Sequence, residues 1–297
     1  MNILQIRNFL LKLHLCHGIG QNGETKFWQW WHHGHSQASE CTITAEALIE
    51  LQFISPQNRT RFQEDFTSQR LQAAYEKHLA TVSFITISDP AYPLQLRESF
   101  EAPIVLFYQG QLGLLRFPLL GIVGARLADS YGQLSLKYLL PDIVKHHIAV
   151  VSGLAAGIDS FSHQETLRQR GHTIGVIGTG LDHFYPRQNK NLQTYMAKHQ
   201  LVLSEYPLGA GPKRHHFVER NRIIAGLCET LCVIQAKQHS GSLITANLAL
   251  QNNRNVLAVP GKITDPLSVG CNELIAAGGK PVLVSQDIIE EFRFDRF

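Results

Sequence analysis

Charge is scarce in this chain. Charged residues make up 17% of the 297, and 27 Lys and Arg against 24 Asp and Glu leave a net charge of +3 with histidine neutral. A protein that coats duplex nucleic acid indiscriminately carries a stronger positive field, so any contact with a polyanion must come from a local patch. The fifteen histidines add charge only in mildly acid conditions. Long apolar runs are also missing, since none approaches the roughly 20 residues of a membrane span. The opening Met1-Asn2-Ile3-Leu4-Gln5-Ile6-Arg7 has no signal core and no small-residue cleavage site. A cytoplasmic protein with no membrane contact is expected. The cysteines Cys16, Cys41, Cys228, Cys232 and Cys271 show no zinc-ribbon spacing. The tract His32-His33-Gly34-His35 has no partner cysteine or carboxylate pattern nearby, so no metal is expected. There is no Walker A run. Gly178-Thr179-Gly180 continues into Leu181-Asp182 without the third glycine of a dinucleotide fingerprint, so no cofactor is implied.

What is present begins with a core: hydrophobic residues are 44% of the chain. Residues 1–78 read as helical, with Leu4, Phe9, Leu10, Leu13 and Leu15 as a first apolar pattern and the segments 44–49 and 62–79 supplying further helices. The turn Gly18-Ile19-Gly20 reads first as a glycine turn in a small bundle. Its second reading is a helix-hairpin-helix whose amides hold a phosphate. Near residue 80 the pattern changes to alternating strand and helix. Short apolar runs at 82–88, 104–108, 119–123, 148–151, 173–177, 201–204, 230–234, 256–259 and 281–284 are separated mostly by helical stretches. Repeated βα units of this kind predict an α/β fold with a doubly wound, mostly parallel sheet over 79–297.

In such sheets ligands bind beyond the carboxyl ends of the strands. Here those ends are rich in small residues: Gly124-Ala125-Arg126, Ser152-Gly153-Leu154-Ala155-Ala156-Gly157-Ile158-Asp159, Gly178-Thr179-Gly180, Ser204-Glu205, and Ser240-Gly241-Ser242. Glycine lets a backbone approach a ligand closely. Ser240-Gly241-Ser242 precedes a helical run at 243–251 and so offers free amides to an anion. Asp159 and His163, four apart, form a candidate acid/base pair, or else a helix cap and a packed imidazole. Glu205 stands where a catalytic carboxylate would stand, or else pairs with an arginine of the rim.

The densest basic cluster is Lys213-Arg214-His215-His216, followed by Phe217-Val218-Glu219-Arg220-Asn221-Arg222. Arginine forks match phosphate oxygens, and an aromatic ring carries a stacked base. Residues two apart on a helix diverge by about 200°. Arg220 and Arg222 can therefore share a ligand only if Arg220 precedes the helix, which Asn221 as N-cap would arrange; failing that, Arg220 is structural.

Taken in order, these strand-end motifs resemble the DNA-processing protein A (DprA/Smf) family. The resemblance runs from about Asp89-Pro90 to about Asp287 and includes Leu181-Asp182-His183-Phe184-Tyr185-Pro186, Val259-Pro260-Gly261 and Gly270-Cys271-Asn272-Glu273. It implies an extended Rossmann-like domain preceded by a small helical domain of the SAM or helix-hairpin-helix kind, with no winged helix behind. It also implies a non-enzymatic homodimer that binds single-stranded DNA, protects it in natural transformation and loads the RecA recombinase onto it. Two positions depart from the family pattern. Ala125 stands where Gly-Ser-Arg is usual, and Ala156 stands where an arginine is usual. The expected DNA contacts are Gly124, Arg126, Ser152, Gly153, Gly157, Lys213, Arg214, Phe217, Arg220, Asn221, Arg222, Ser240, Gly241 and Ser242. Residues 270–284 are a candidate dimer contact. The main rival is a hydrolase using Glu205 and the start of the Ser240-Gly241-Ser242 helix. A second is an adaptor whose basic loop binds an acidic protein.

Overall fold

The structure, a computed structural model, describes residues 2–34 and 43–292. The chain divides into two compact units, Met1–Arg97 with Glu101–Tyr108, and Glu98–Phe100 with Gln109–Phe297.

The first unit is mostly helical. Helix α1 (Ile3–Leu15) starts in a capping box, where the Gln5 amide donates to Asn2 Oδ1 at 2.9 Å and the Asn2 amide to Gln5 Oε1 at 2.8 Å. Helices α2 (Gly20–His32), α3 (Ala45–Glu50), α4 (Arg59–Phe66) and α5 (Gln69–Thr81) follow. The helical segment expected over 62–79 is divided between α4 and α5, because Ser68 caps α5 by accepting the Leu71 amide at 3.0 Å. Strand β1 (Ser83–Thr86) pairs antiparallel with β2 (Val105–Gly110), with the short α6 (Leu94–Arg97) between them. Phe9, Phe27 and Phe62 are fully buried. Gly18 lies against α4, where a β-carbon would come 3.0 Å from the Phe62 amide nitrogen, so the Gly-Ile-Gly turn makes a packing contact. His32 stacks on Trp28 and His33 bonds to the Gln29 carbonyl, while His35 and Cys41 lie outside the described residues.

The second unit is built on seven parallel strands: β3 (Leu119–Val123), β4 (Ala149–Gly153), β5 (Thr173–Ile177), β6 (Leu201–Ser204), β7 (Thr230–Val233), β8 (Asn255–Ala258) and β9 (Lys280–Pro281). Their order is β6-β5-β4-β3-β7-β8-β9. Strands β3 to β7 are buried along their whole length, which is why they appear in the sequence as unbroken apolar runs. The intervening helices are α7 (Ser130–Lys145), α8 (Ile158–Arg168), α9 (Lys190–His199), α10 (Arg214–Leu227), α11 (Gly241–Gln251), α12 (Val269–Ala276) and α13 (Ser285–Ile289). On one face, Leu136, Leu140 and Ile143 of α7 pack with Leu120, Ile122, Val150 and Ile288. Helices α10 and α11 pack against each other and against the strands. The architecture is the mostly parallel α/β sheet expected from the sequence. The chain winds outward from β3 through β4, β5 and β6, then returns to place β7 on the other side of β3. The switch point therefore lies between β3 and β7, where a ligand crevice is expected.

Candidate functional site

A cleft of about 680 Å³ opens at that switch point. Its walls are the loop after β3, the first half of α10, the loop after β7 and the start of α11. Of the sequence-predicted residues, Gly124, Arg126, Lys213, Arg214, Phe217, Arg220, Asn221, Ser240, Gly241 and Ser242 line it. Ser152, Gly153, Gly157 and Arg222 do not. Sequence reasoning missed Tyr185, Lys237 and His239, which also line the cleft. The run Lys237-Gln238-His239, directly ahead of a Ser-Gly-Ser helix start, was the signal available for two of them.

Helix α10 begins at Arg214 with Lys213 as its N-cap, and Asn221 lies in its second turn. This corrects the expectation that Asn221 caps the helix. Lys213, Arg214 and His215 are exposed at the helix start, where the macrodipole disfavours cations. Their local field is therefore undiluted and open to an anion. One turn on, the half-buried Phe217 ring lies 5.0 Å from the exposed Tyr185 ring. The Arg126 guanidinium stands 5.7 Å from the Phe217 centroid. A smaller recess of about 120 Å³ lies beside this pair, lined by Leu154, Ala156, Ile177 and Gly178 among others.

Because both arginines are inside the helix, Arg220 and Arg222 point to different places. Arg222 is 4% exposed and donates to both oxygens of the buried Glu205, at 2.9 and 2.6 Å. It is a structural partner, and the expectation that it contacts ligand is corrected. Glu205 is engaged by the same pair, away from the cleft. Arg220 lines the cleft from its floor. It is also 4% exposed, its Nη1 donates to the Val176 carbonyl at 2.7 Å, and its Nε has no partner among the described residues. Asp159 Oδ2 is 4.0 Å from its Nη2. Burial raises the Asp159 carboxyl above the usual carboxylate range, against the pull of Arg220 and the Ala155 amide. Burial likewise lowers the Arg220 guanidinium. Neither group finds full charge compensation in the other.

Gly153 of the β4–α8 turn makes room for this arginine. A β-carbon at Gly153 would collide with Arg220 Nη1 and Asp159 Oδ2. Gly157 caps α8 at φ +76° and ψ −131°, a conformation open only to glycine, and a β-carbon there would strike the Ala125 carbonyl. That carbonyl already accepts the Ile158 amide at 3.1 Å. Ser152 is fully buried and donates to the Ile122 carbonyl at 2.6 Å. Gly153 thus makes room for Arg220, Gly157 lets the start of α8 close on the loop after β3, and Ser152 ties β4 to β3; these packing roles replace the expectation that the three hold phosphate themselves. His163 lies beneath the same turn, with Nε2 2.6 Å from the Gly153 carbonyl and Nδ1 2.6 Å from Thr173 Oγ1. Burial lowers its pKa to about 4. The neutral imidazole is a packed support, not an acid/base facing the cleft.

The start of α11 is open by contrast. Gly241 is exposed, Ser240 and Ser242 share a hydroxyl contact at 2.9 Å, and Asn221 Nδ2 reaches the Gly241 carbonyl at 3.4 Å. The charge balance of the lining is one-sided: Arg126, Lys213, Arg214, Arg220 and Lys237 face Asp159 as the only carboxylate.

The second unit is a doubly wound, Rossmann-like α/β sheet with a cationic, aromatic-bearing cleft at its switch point. Residues 83–293 match the family described as DNA recombination-mediator protein A, and the chain belongs to it. It is 48% identical to the DNA processing protein DprA of Streptococcus pneumoniae over 209 residues, 70% of this chain and 74% of that one. It is 44% identical to the Bacillus subtilis protein of the same name, over 75% of this chain and 74% of that one. The X-ray structure of the pneumococcal protein superposes with a TM-score of 0.88 at 38% identity, covering 99% of both chains. DNA processing protein A from Helicobacter pylori, solved for its single-stranded DNA binding mode, gives 0.63 at 27% identity over 71% of this chain and 96% of that one. No helix among the described residues is long and apolar enough to cross a membrane.

Proposed function

We propose that the chain binds single-stranded DNA in the cleft between β3 and β7. The observation that carries this is the Phe217–Tyr185 ring pair set among Arg126, Lys213 and Arg214. Neighbouring aromatic faces suit an unpaired base, whose own faces a duplex keeps covered. Phosphates lie on Arg126, Lys213, Arg214 and Lys237 and at the amides opening α11, with Arg220 beneath them. A base rests on Phe217 and its neighbour enters the recess beside Leu154 and Ile177. The single-strand binding of the Helicobacter pylori relative supports this reading.

Two measurements on one variant test it. Phe217→Ala should weaken oligo-dT binding by about 1–3 kcal/mol with little change in melting temperature. A large fall in melting temperature with affinity intact in the folded fraction would make Phe217 a packing residue and remove the stacking role. Family membership extends the proposal to a cytoplasmic protein that protects incoming DNA in natural transformation and loads the RecA recombinase onto it. Strand exchange with and without this protein, on DNA already coated by a single-strand binding protein, reads that step. A homodimer is proposed through 270–284, where Leu283 is 67% exposed beside the short edge strand β9. A monomer in sedimentation at micromolar concentration would remove it.

A further inference from the structure

The rim of the sheet opposite the cleft carries a second row of basic residues, with Arg116, Arg170 and Lys198 as its cations. Four connections end there. Arg116 precedes β3, and His146 and His147 precede β4. Arg170 and His172 precede β5, and Lys198 and His199 precede β6. The register sets these connections side by side: the Ala149 amide donates to the Pro118 carbonyl at 2.9 Å, and Val150 to His172 at 3.0 Å. The Thr173 amide donates to Gln200 Oε1 at 2.9 Å. With neighbouring strands about 4.8 Å apart, the row spans on the order of 15 Å. Arg116, His147, Arg170 and Lys198 are exposed, and their side chains have no partner among the described residues. Two rings stand in the row, with Phe117 4.7 Å from His172 and the half-exposed Tyr195 4.6 Å from His199.

The plainest alternative is that cations gather wherever helices end, because the macrodipole favours them there. It accounts for Lys145, paired with Asp142, for Arg168, paired with Glu165, and for the placement of Lys198 and His199 in the last turn of α9. It also predicts the same enrichment on the other side of β3, where α10 and α11 end. Neither has a basic residue in its last turn. Their connections hold Glu229, Asn252 and Asn253, and Arg254 turns to the Gly226 carbonyl at 3.3 Å. The dipole does not explain this asymmetry. Two members of the row also stand where glycine is the usual residue, just past a helix end: His147 at φ 56° and Arg170 at φ 60°. A long basic side chain such as that of Arg170, kept at a strained backbone position, points to a role for that side chain.

We infer that this rim is a second docking surface for single-stranded nucleic acid. The phosphate backbone runs across the entries to β3, β4, β5 and β6, and bases meet the rings of Phe117 and Tyr195. One domain then holds two segments of a strand, one in the cleft and one on the opposite rim. The inference rests on the single-strand reading of the cleft. The flat rings among the cations favour this ligand over an acidic protein.

The test combines Arg116→Ser, Arg170→Gly and Lys198→Ser in the full chain. Glycine at 170 relieves the backbone, so a loss of binding cannot be assigned to strain. Oligo-dT of about 6 nucleotides, within the range of one single-strand site, reads the cleft, and oligo-dT of about 60 reads cleft and rim together. The triple variant should bind the short strand as the parent does. On the long strand its log K against log salt slope should fall by about 2, three phosphate contacts at about 0.7 each. An unchanged long-strand slope in the folded variant overturns the inference. If the parent fails to bind the short strand, the cleft reading fails instead, while the long-strand slope still reads the rim. Loss of poly-glutamate binding with DNA binding intact assigns the rim to an acidic protein and also overturns it.

Discussion

The two sides of α10 hold the same residue type in two kinds of seat. On one side Arg222 meets Glu205 with two short hydrogen bonds, and the pair closes on itself. On the other side Arg220 has one carbonyl and a carboxyl at 4.0 Å whose charged form burial disfavours. Both arginines are equally hidden from water. Burial therefore does not separate the structural from the functional arginine. What separates them is whether a carboxylate closes on the guanidinium at hydrogen-bond distance or stands off and leaves room for a ligand. A buried cation with unfilled donors at the floor of a cleft stays costly until an anion arrives.

The largest expected effect comes from breaking the closed seat. Glu205→Ala leaves Arg222 as an uncompensated buried charge and should cost about 3–5 kcal/mol of stability in urea unfolding. Affinity for oligo-dT per folded molecule should hold. A fall in that affinity would show that the two sides are coupled.

Next is acid. The folded pKa of His163 is lowered from 6.5 to about 4, so its stabilising contribution is complete above about pH 6.5 and is lost as pH falls through about 4. Stability should fall by about 3 kcal/mol across that window, and His163→Gln should flatten the fall. The Asp159 carboxyl is shifted the opposite way, upward. Its contribution is present below the ordinary value of 3.8 and is lost as pH rises through its folded value. Asp159→Asn should remove that decline. An identical pH profile in both variants would mean that neither group titrates as its surroundings dictate.

Opening the other seat should do less to the fold. Arg220→Met leaves behind a carboxyl inclined to stay protonated, so the stability loss should be about 1 kcal/mol. Single-strand affinity should fall by about 1.5–3 kcal/mol, the value of a hydrogen bond to a charged group. A stability loss as large as that of Glu205→Ala would make the two seats equivalent and end the comparison. The smallest change is Arg126→Ala, from a residue exposed at the mouth of the cleft. It should leave melting unchanged and lower the log K against log salt slope by about 0.7. A slope equal to that of the parent would move Arg126 out of the phosphate contacts.

The sheet was legible because its strands are covered on both faces. The runs at 119–123, 173–177 and 201–204 coincide with β3, β5 and β6. Such strands are continuous apolar segments with small residues at their ends, and no tertiary detail is needed to see them. The cleft was legible in part, since residues following different strands converge at the switch point. Helix α10 was misread at its start. Lys213-Arg214-His215-His216 looks like a loop because cations are unfavourable at a helix N-terminus, and Asn221 looks like a cap because asparagine favours caps. Packing of Ile223, Ile224 and Leu227 in the core overrides both cues and draws the helix back to Arg214. The roles of Ser152, Gly153 and Gly157 were hidden for another reason. A glycine that makes room for an arginine 67 positions away leaves the same mark in a sequence as a glycine that makes room for a ligand.

The cationic first turn of α10 has a thermodynamic corollary. A helix that opens on three exposed bases in unfavourable alignment with its own dipole should fray at that end more readily than its buried second half. Amides 215–218 should then exchange with solvent faster than those of Ile223 and Ile224. A polyanion that settles on the turn reverses the sign of the local field, so occupancy of the cleft and winding of the turn become linked equilibria. At a hundredfold excess over its dissociation constant, the ligand adds about 2.7 kcal/mol to the stability of the bound form. The protected amides at the head of α10 would report how that gain is distributed along the chain, before any change is visible in the sheet beneath.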